Sequence, residues 1–159
     1  YRKLINMNTE QSLVIIKPDA LQRGLVGQII QRYEKKGLKI IGLKMMQLKE
    51  AILLEHYAHV VDRPFYAELS EFMSSSPVMV LALEGINAVQ TVRKVSGTDI
   101  FEFGTIRGDY STSSQRNLVH SSDSLETAKN EIHRFFETED LFVYDKDEWK
   151  HVYAESDKK

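Results

Sequence analysis

Short β-branched apolar runs alternate along the chain with longer segments whose apolar residues recur at helical spacing. Ser12 to Ile16 (SLVII) reads as a buried strand, and Pro18, which cannot donate to a ladder, ends it. Gly24 to Lys36 predicts a helix with Leu25, Ile29, Ile30 and Tyr33 on one face and Gly37 as its stop. Leu38 to Leu48 reads as a second strand. Lys49 to Val60 and Pro64 to Ser74 predict a helical hairpin, with Pro64 at a first helical position. Val78 to Leu83 is the third strand, followed by a helix from Asn87 to Ser96 that carries Ala88, Val92 and Val95 on its apolar face. Leu118 to His120 reads as a short fourth strand. Asp123 to Phe136 is the last helix, with Asp123 and Glu126 as a capping box and Leu125, Ala128, Ile132 and Phe135 facing the core.

The order β-α-β-(αα)-β-α-β predicts an α+β, ferredoxin-like sandwich: a βαββαβ arrangement with a four-stranded antiparallel sheet and added helices. One domain is expected over residues 10–155. Residues 1–9 read as a leader or disordered N-terminus and 156–159 as a frayed tail.

Composition narrows the function classes. The 42% hydrophobic and 28% charged content is that of an ordinary globular protein, and a net charge of −2 gives no reason to expect nucleic-acid or membrane-surface binding. There is no apolar run of membrane-spanning length. Without cysteine the chain has no disulfides and no thiolate metal sites, which is compatible with a cytoplasmic location.

The chemistry concentrates between Gly104 and Ser124 (GTIRGDYSTSSQRNLVHSSDS), which holds Arg107, Arg116, Asn117 and His120. Arginine beside glycine lets a planar donor approach phosphate oxygens closely. Imidazole can act as a nucleophile at physiological pH. Cationic clamps around one nucleophile suggest phosphoryl transfer. Of the five histidines, His120 is the one at a strand end. His56, His59 and His151 read as structural or solvated, and His133 as lying on the polar side of the last helix.

The three blocks Ile16-Lys17-Pro18-Asp19, GTIRGD and NLVHSSDS occur in the order and spacing of nucleoside diphosphate kinases. The chain resembles that family over roughly residues 10 to 155, including Glu55-His56-Tyr57, Asp62-Arg63-Pro64-Phe65 and Trp149 to Tyr153. The resemblance implies a ping-pong transfer of the terminal phosphate from a nucleoside triphosphate to a nucleoside diphosphate, through a phosphohistidine on His120. It implies that Glu131 holds the other ring nitrogen of His120. Ser122 would bond the histidine region near the leaving oxygen, and Tyr57 would lie close to the histidine. Lys17, Arg93 and Arg107 would hold phosphates and Asn117 a ribose hydroxyl. Phe65 would stack on the base and Leu69 would lie beside it. Mg²⁺ would ride on the nucleotide phosphates, and the protein would be a homo-oligomer, with the Trp149–Tyr153 match favouring a hexamer.

The chain departs from the family between Gly97 and Gly104, where about three residues and both usual prolines are missing. Thr98 is the one candidate for the family's phosphate-contacting threonine, one position early. The apolar replacement loop predicts that Phe101 or Phe103 is buried against a neighbouring element or subunit. Lys17 and Arg107 read as long cations at element ends rather than in the core. Two other classes compete: a non-catalytic relative that keeps the fold for partner binding, and an RNA-binding ferredoxin-like module. The intact residue set argues against the first, and the lack of a basic aromatic strand against the second.

Overall fold

The computed structural model describes residues 8–158. Four strands, β1 (Glu10–Ile16), β2 (Lys39–Met46), β3 (Val78–Gly85) and β4 (Val119–Ser121), form one sheet in the order β2-β3-β1-β4, and every neighbouring pair is antiparallel. The helices in chain order are α1 (Pro18–Gln22), α2 (Val26–Lys35), α3 (Glu50–His56), α4 (Tyr66–Ser74), α5 (Ala88–Ser96), α6 (Ile106–Tyr110), α7 (Leu125–Phe135) and α8 (Trp149–Val152). This is the ferredoxin-like sandwich expected from the pattern.

The continuous apolar run of β1 follows from burial on both faces. Leu13 and Ile15 enter one core with Leu53 of α3, Met73 of α4 and Ile132 and Phe135 of α7. Val14 and Ile16 enter the other with Ile29 and Tyr33 of α2, Val92 of α5 and Ile106 of α6. The two-residue period of a strand thus sends alternate side chains into separate cores.

Several boundaries differ from expectation for local reasons. The helix expected from Gly24 begins at Val26, because Gly24 takes φ of +66° in a turn that separates α1 from α2. Pro64 precedes rather than opens α4, whose N-cap is Phe65. The α7 cap is Ser124, whose hydroxyl accepts from Thr127 N–H at 3.1 Å, rather than an Asp123–Glu126 box, and this leaves Leu125 57% exposed instead of in the core. α6 was not expected at all; Thr105 caps it by accepting from Gly108 N–H. A Cβ on Gly108 would meet the Glu102 carbonyl oxygen at 2.1 Å, so glycine there lets α6 pack directly against the short loop. Phe101 and Phe103 on that loop are 75% and 82% exposed, so neither is buried against another element of its own chain. Residues 1–7 of the expected leader lie outside the described residues, and the tail carries a 3₁₀ turn over Glu155–Lys158.

Candidate active site

His120 occupies the middle of β4 and is in register with Ile15 of β1, so its ring shares the sheet face covered by α3 and α7. Those helices supply its partners. Glu131, buried one turn before the end of α7, places Oε1 2.8 Å from His120 Nε2. The Ser122 hydroxyl donates to Glu131 Oε2 at 2.5 Å and accepts from Leu13 N–H at 3.1 Å. Burial pushes the Glu131 pKa up, but the bonds from His120 and Ser122 and the nearby rings of His120 and His56 outweigh it, and the net shift is downward. An ionised carboxylate can only accept, so the shared proton sits on Nε2 and the lone pair of His120 on Nδ1. Ser122 is completely buried and reaches His120 through Glu131. This corrects the placement beside a leaving oxygen.

His56, expected to be structural or solvated, lies against His120. Its ring meets that of His120 edge-on at 4.6 Å between centroids, and its Nδ1 is 3.8 Å from Glu131 Oε1 and 3.3 Å from the Arg134 guanidinium. Burial first, then the charges of His120 and Arg134, lower its pKa to about 3, with Glu131 opposing. It is therefore a neutral wall behind the His120 ring. Tyr57 is buried and touches His56 at 4.7 Å, one ring removed from His120. The signal for His56 was its place in α3, three residues after the core residue Leu53.

The cations lie deeper than their sequence positions suggest. Lys17 is 8% exposed and donates from Nζ to Asn117 Oδ1 at 2.6 Å. Burial, and then the nearby Arg107, lower its pKa to about 8, while Asp19 works in the opposite direction. Arg107 donates to the Gly97 and Val119 carbonyls, each at 2.6 Å, and its Nε is buried without a partner. Its guanidinium therefore joins the start of the short loop to β4. Burial lowers its pKa, and Arg93 adds to the effect. Lys17, Arg93 and Arg107 form no ion pair with a carboxylate among the described residues. Asp19 lies near enough to Lys17, and Asp123 near enough to Arg93, to offset part of this charge, and an anionic ligand would neutralise the rest.

Two clefts receive the remaining residues. One of about 210 Å³ is lined by Lys17, Phe65, Leu69, Phe72 and Asn117, with Arg116 stacked 5.2 Å from the Phe72 ring. Phe65 is 45% exposed and free to stack. The second, of about 490 Å³, holds Arg93, Thr98, Glu102 and Asp123. Thr98 donates from its hydroxyl to Glu102 Oε2 at 3.1 Å and from its N–H at 2.8 Å, so a carboxylate occupies it. The structure brings together His120, Glu131, Ser122 and His56, and separately Lys17, Asn117, Phe65 and Leu69. Arg93 and Thr98 line a different cleft from Phe65.

Comparison with known proteins identifies the family. The family model for nucleoside diphosphate kinase matches residues 10–141. The chain belongs to the nucleoside diphosphate kinase family. It is 47% identical over 148 residues to the nucleoside diphosphate kinase of Parabacteroides distasonis, covering 91% of this chain and 97% of that protein. It is also 47% identical over 140 residues to human nucleoside diphosphate kinase A, covering 86% and 92% of the two chains. Among solved structures, a halophilic nucleoside diphosphate kinase from Halobacterium salinarum, in complex with CDP, superposes with a TM-score of 0.89 at 41% identity. That match covers 92% of this chain and all of the other.

Proposed function

We propose that this chain is a nucleoside diphosphate kinase that moves the terminal phosphate of a nucleoside triphosphate to a nucleoside diphosphate through His120. The observation that carries this reading is the 2.8 Å contact of His120 Nε2 with Glu131, which leaves Nδ1 as a free nucleophile. In the first half-reaction the Nδ1 lone pair forms a bond to the γ-phosphorus, and the bond from phosphorus to the β,γ-bridging oxygen breaks. The departing diphosphate keeps the electron pair. The positive charge that develops on the ring is balanced by Glu131, itself held by Ser122. An acceptor diphosphate then attacks the phosphohistidine and reverses the sequence.

Lys17 and Arg107 stabilise the transferring oxygens, and Arg93 and Thr98 hold phosphates from the second cleft, where Thr98 must exchange Glu102 for the ligand. Asn117 bonds the ribose hydroxyl, Phe65 stacks on the base and Leu69 packs beside it. Tyr57 acts through His56, whose ring it supports.

Among the described residues, the cluster of three possible metal ligands is His56, His120 and Glu131, which presents two nitrogens. Mg²⁺ prefers oxygen ligands and its own waters, so it fits on the nucleotide phosphates rather than in a protein cage. When bound there it neutralises phosphate charge. No helix among the described residues is long and apolar enough to cross a membrane. The proposed location is the cytoplasm, with which the cysteine-free sequence is compatible. The proposed assembly is a homo-hexamer, in which the exposed Phe101 and Phe103 are covered by neighbouring subunits.

Initial rates with ATP varied at several fixed diphosphate concentrations test the reading. Parallel double-reciprocal lines, with both purine and pyrimidine acceptors used, are expected. Intersecting lines would rule out the phosphoenzyme route, and strict selectivity for one base would rule out recognition by stacking on Phe65.

A further inference from the structure

Leu118, two residues before His120, has φ of +73°. A bulky residue with a Cβ adopts that conformation only under constraint. It closes a γ-turn in which Val119 N–H donates to the Asn117 carbonyl at 2.8 Å. Both backbone polar groups of Leu118 are held by the segment where β1 passes into the first turn of α1. Its N–H donates to Asp19 Oδ2 at 3.1 Å, and its carbonyl accepts from Lys17 N–H at 2.8 Å. The second Asp19 oxygen, Oδ1, is buried and has no partner. The turn sits between two residues that the proposed function assigns to the nucleotide: Asn117, bonded to Lys17 Nζ, and His120, in register with Ile15.

We propose that Asp19 is a positioning residue which, through the Leu118 N–H, holds a strained γ-turn that aims Asn117 and His120 at the same bound nucleotide. The inference rests on the phosphotransfer reading above but assigns Asp19 no contact with substrate. A competing role is electrostatic, since the Asp19 charge also favours the protonated form of Lys17. The two roles separate by substitution. Asp19→Asn keeps an acceptor oxygen and loses the charge. Leu118 itself is completely buried in the core with Ile16, Ala20 and Ile106, so its side chain is kept and the turn is loosened from the Asp19 side alone.

Two variants, Asp19→Ala and Asp19→Asn, are compared with wild type by steady-state kinetics and circular dichroism. Asp19→Ala is expected to lower kcat/KM by on the order of 10- to 100-fold, mostly in kcat, as misplacement of reacting groups does. Asp19→Asn should stay within about fivefold of wild type. Should Asp19→Ala fail to fold, Asp19→Asn carries the test alone, since it keeps the bond to the Leu118 N–H without the charge. Asp19→Ala as active as wild type, or Asp19→Asn impaired by more than about tenfold, overturns the proposal. Wild-type phosphorylation of His120, followed in parallel, reports on the phosphotransfer reading alone.

Discussion

Replacing Lys17 with Met should make the protein more stable and far less active, and the size of the gain follows from its surroundings. Lys17 is 8% exposed, and its pKa falls from 10.5 to about 8, first through burial and then through Arg107. Holding the amine charged below pH 8 therefore costs the native state about 3 kcal/mol relative to the unfolded chain. The sign is fixed by the direction of the shift. Between pH 8 and 10.5 the unfolded chain binds more protons, so wild-type stability rises with pH in that window, and below pH 8 the full penalty is present. Methionine fills similar space without charge. Losing the bond to Asn117 gives back about 1 kcal/mol, leaving a net gain of about 2 kcal/mol at pH 7. By pH 9.5 about half of the wild-type penalty has gone, so the advantage should shrink to near zero. Urea denaturation at both pH values, at one fixed protein concentration, measures the difference. Activity should fall at least about 10²-fold. A Lys17→Met protein less stable than wild type at pH 7, or a difference unchanged at pH 9.5, would refute the reasoning.

Arg107→Ala should lower kcat/KM by on the order of 10²-fold and also lower the thermal midpoint, because its guanidinium ties the Gly97 and Val119 carbonyls; calorimetry and kinetics on the same sample check both. Glu131→Gln should reduce kcat more than it raises KM, since it removes the charge that balances the reacting ring. The folded pKa of Glu131 lies below its ordinary 4.5, so its stabilisation is present above 4.5 and is lost as pH falls through the folded value; acid titrations of the variant should lack that component. Serine at both Phe101 and Phe103 should reduce the particle size seen by light scattering, and an unchanged size would show that these rings do not hold subunits together.

The fold was legible wherever periodicity reports burial. The SLVII run announced a strand with both faces covered, and α2, α5 and α7 repeat apolar residues at helical spacing. Short elements were less legible. α6 spans five residues, and its Thr105 cap and the close approach at Gly108 become visible only when the chain is folded. In the site, His120 and Glu131 are eleven positions apart and could be paired by family motif. His56 could not, because its role comes from α3 packing across α7, a contact between residues far apart in sequence. Lys17 and Arg107 stand near element ends as expected, yet they are more enclosed than that position implies, because β4 and the short loop close over them.

The most direct test of the account is to locate the phosphate on the enzyme after incubation with ATP. Trypsin releases Asn117 to Lys129 as one peptide in which His120 is the sole histidine. Mass spectrometry should find one acid-labile, base-stable phosphoryl group on that peptide. It should be absent in a His120→Ala protein that keeps the wild-type fold by circular dichroism. Phosphate that persists in His120→Ala, or none on the wild-type peptide, would contradict the central claim.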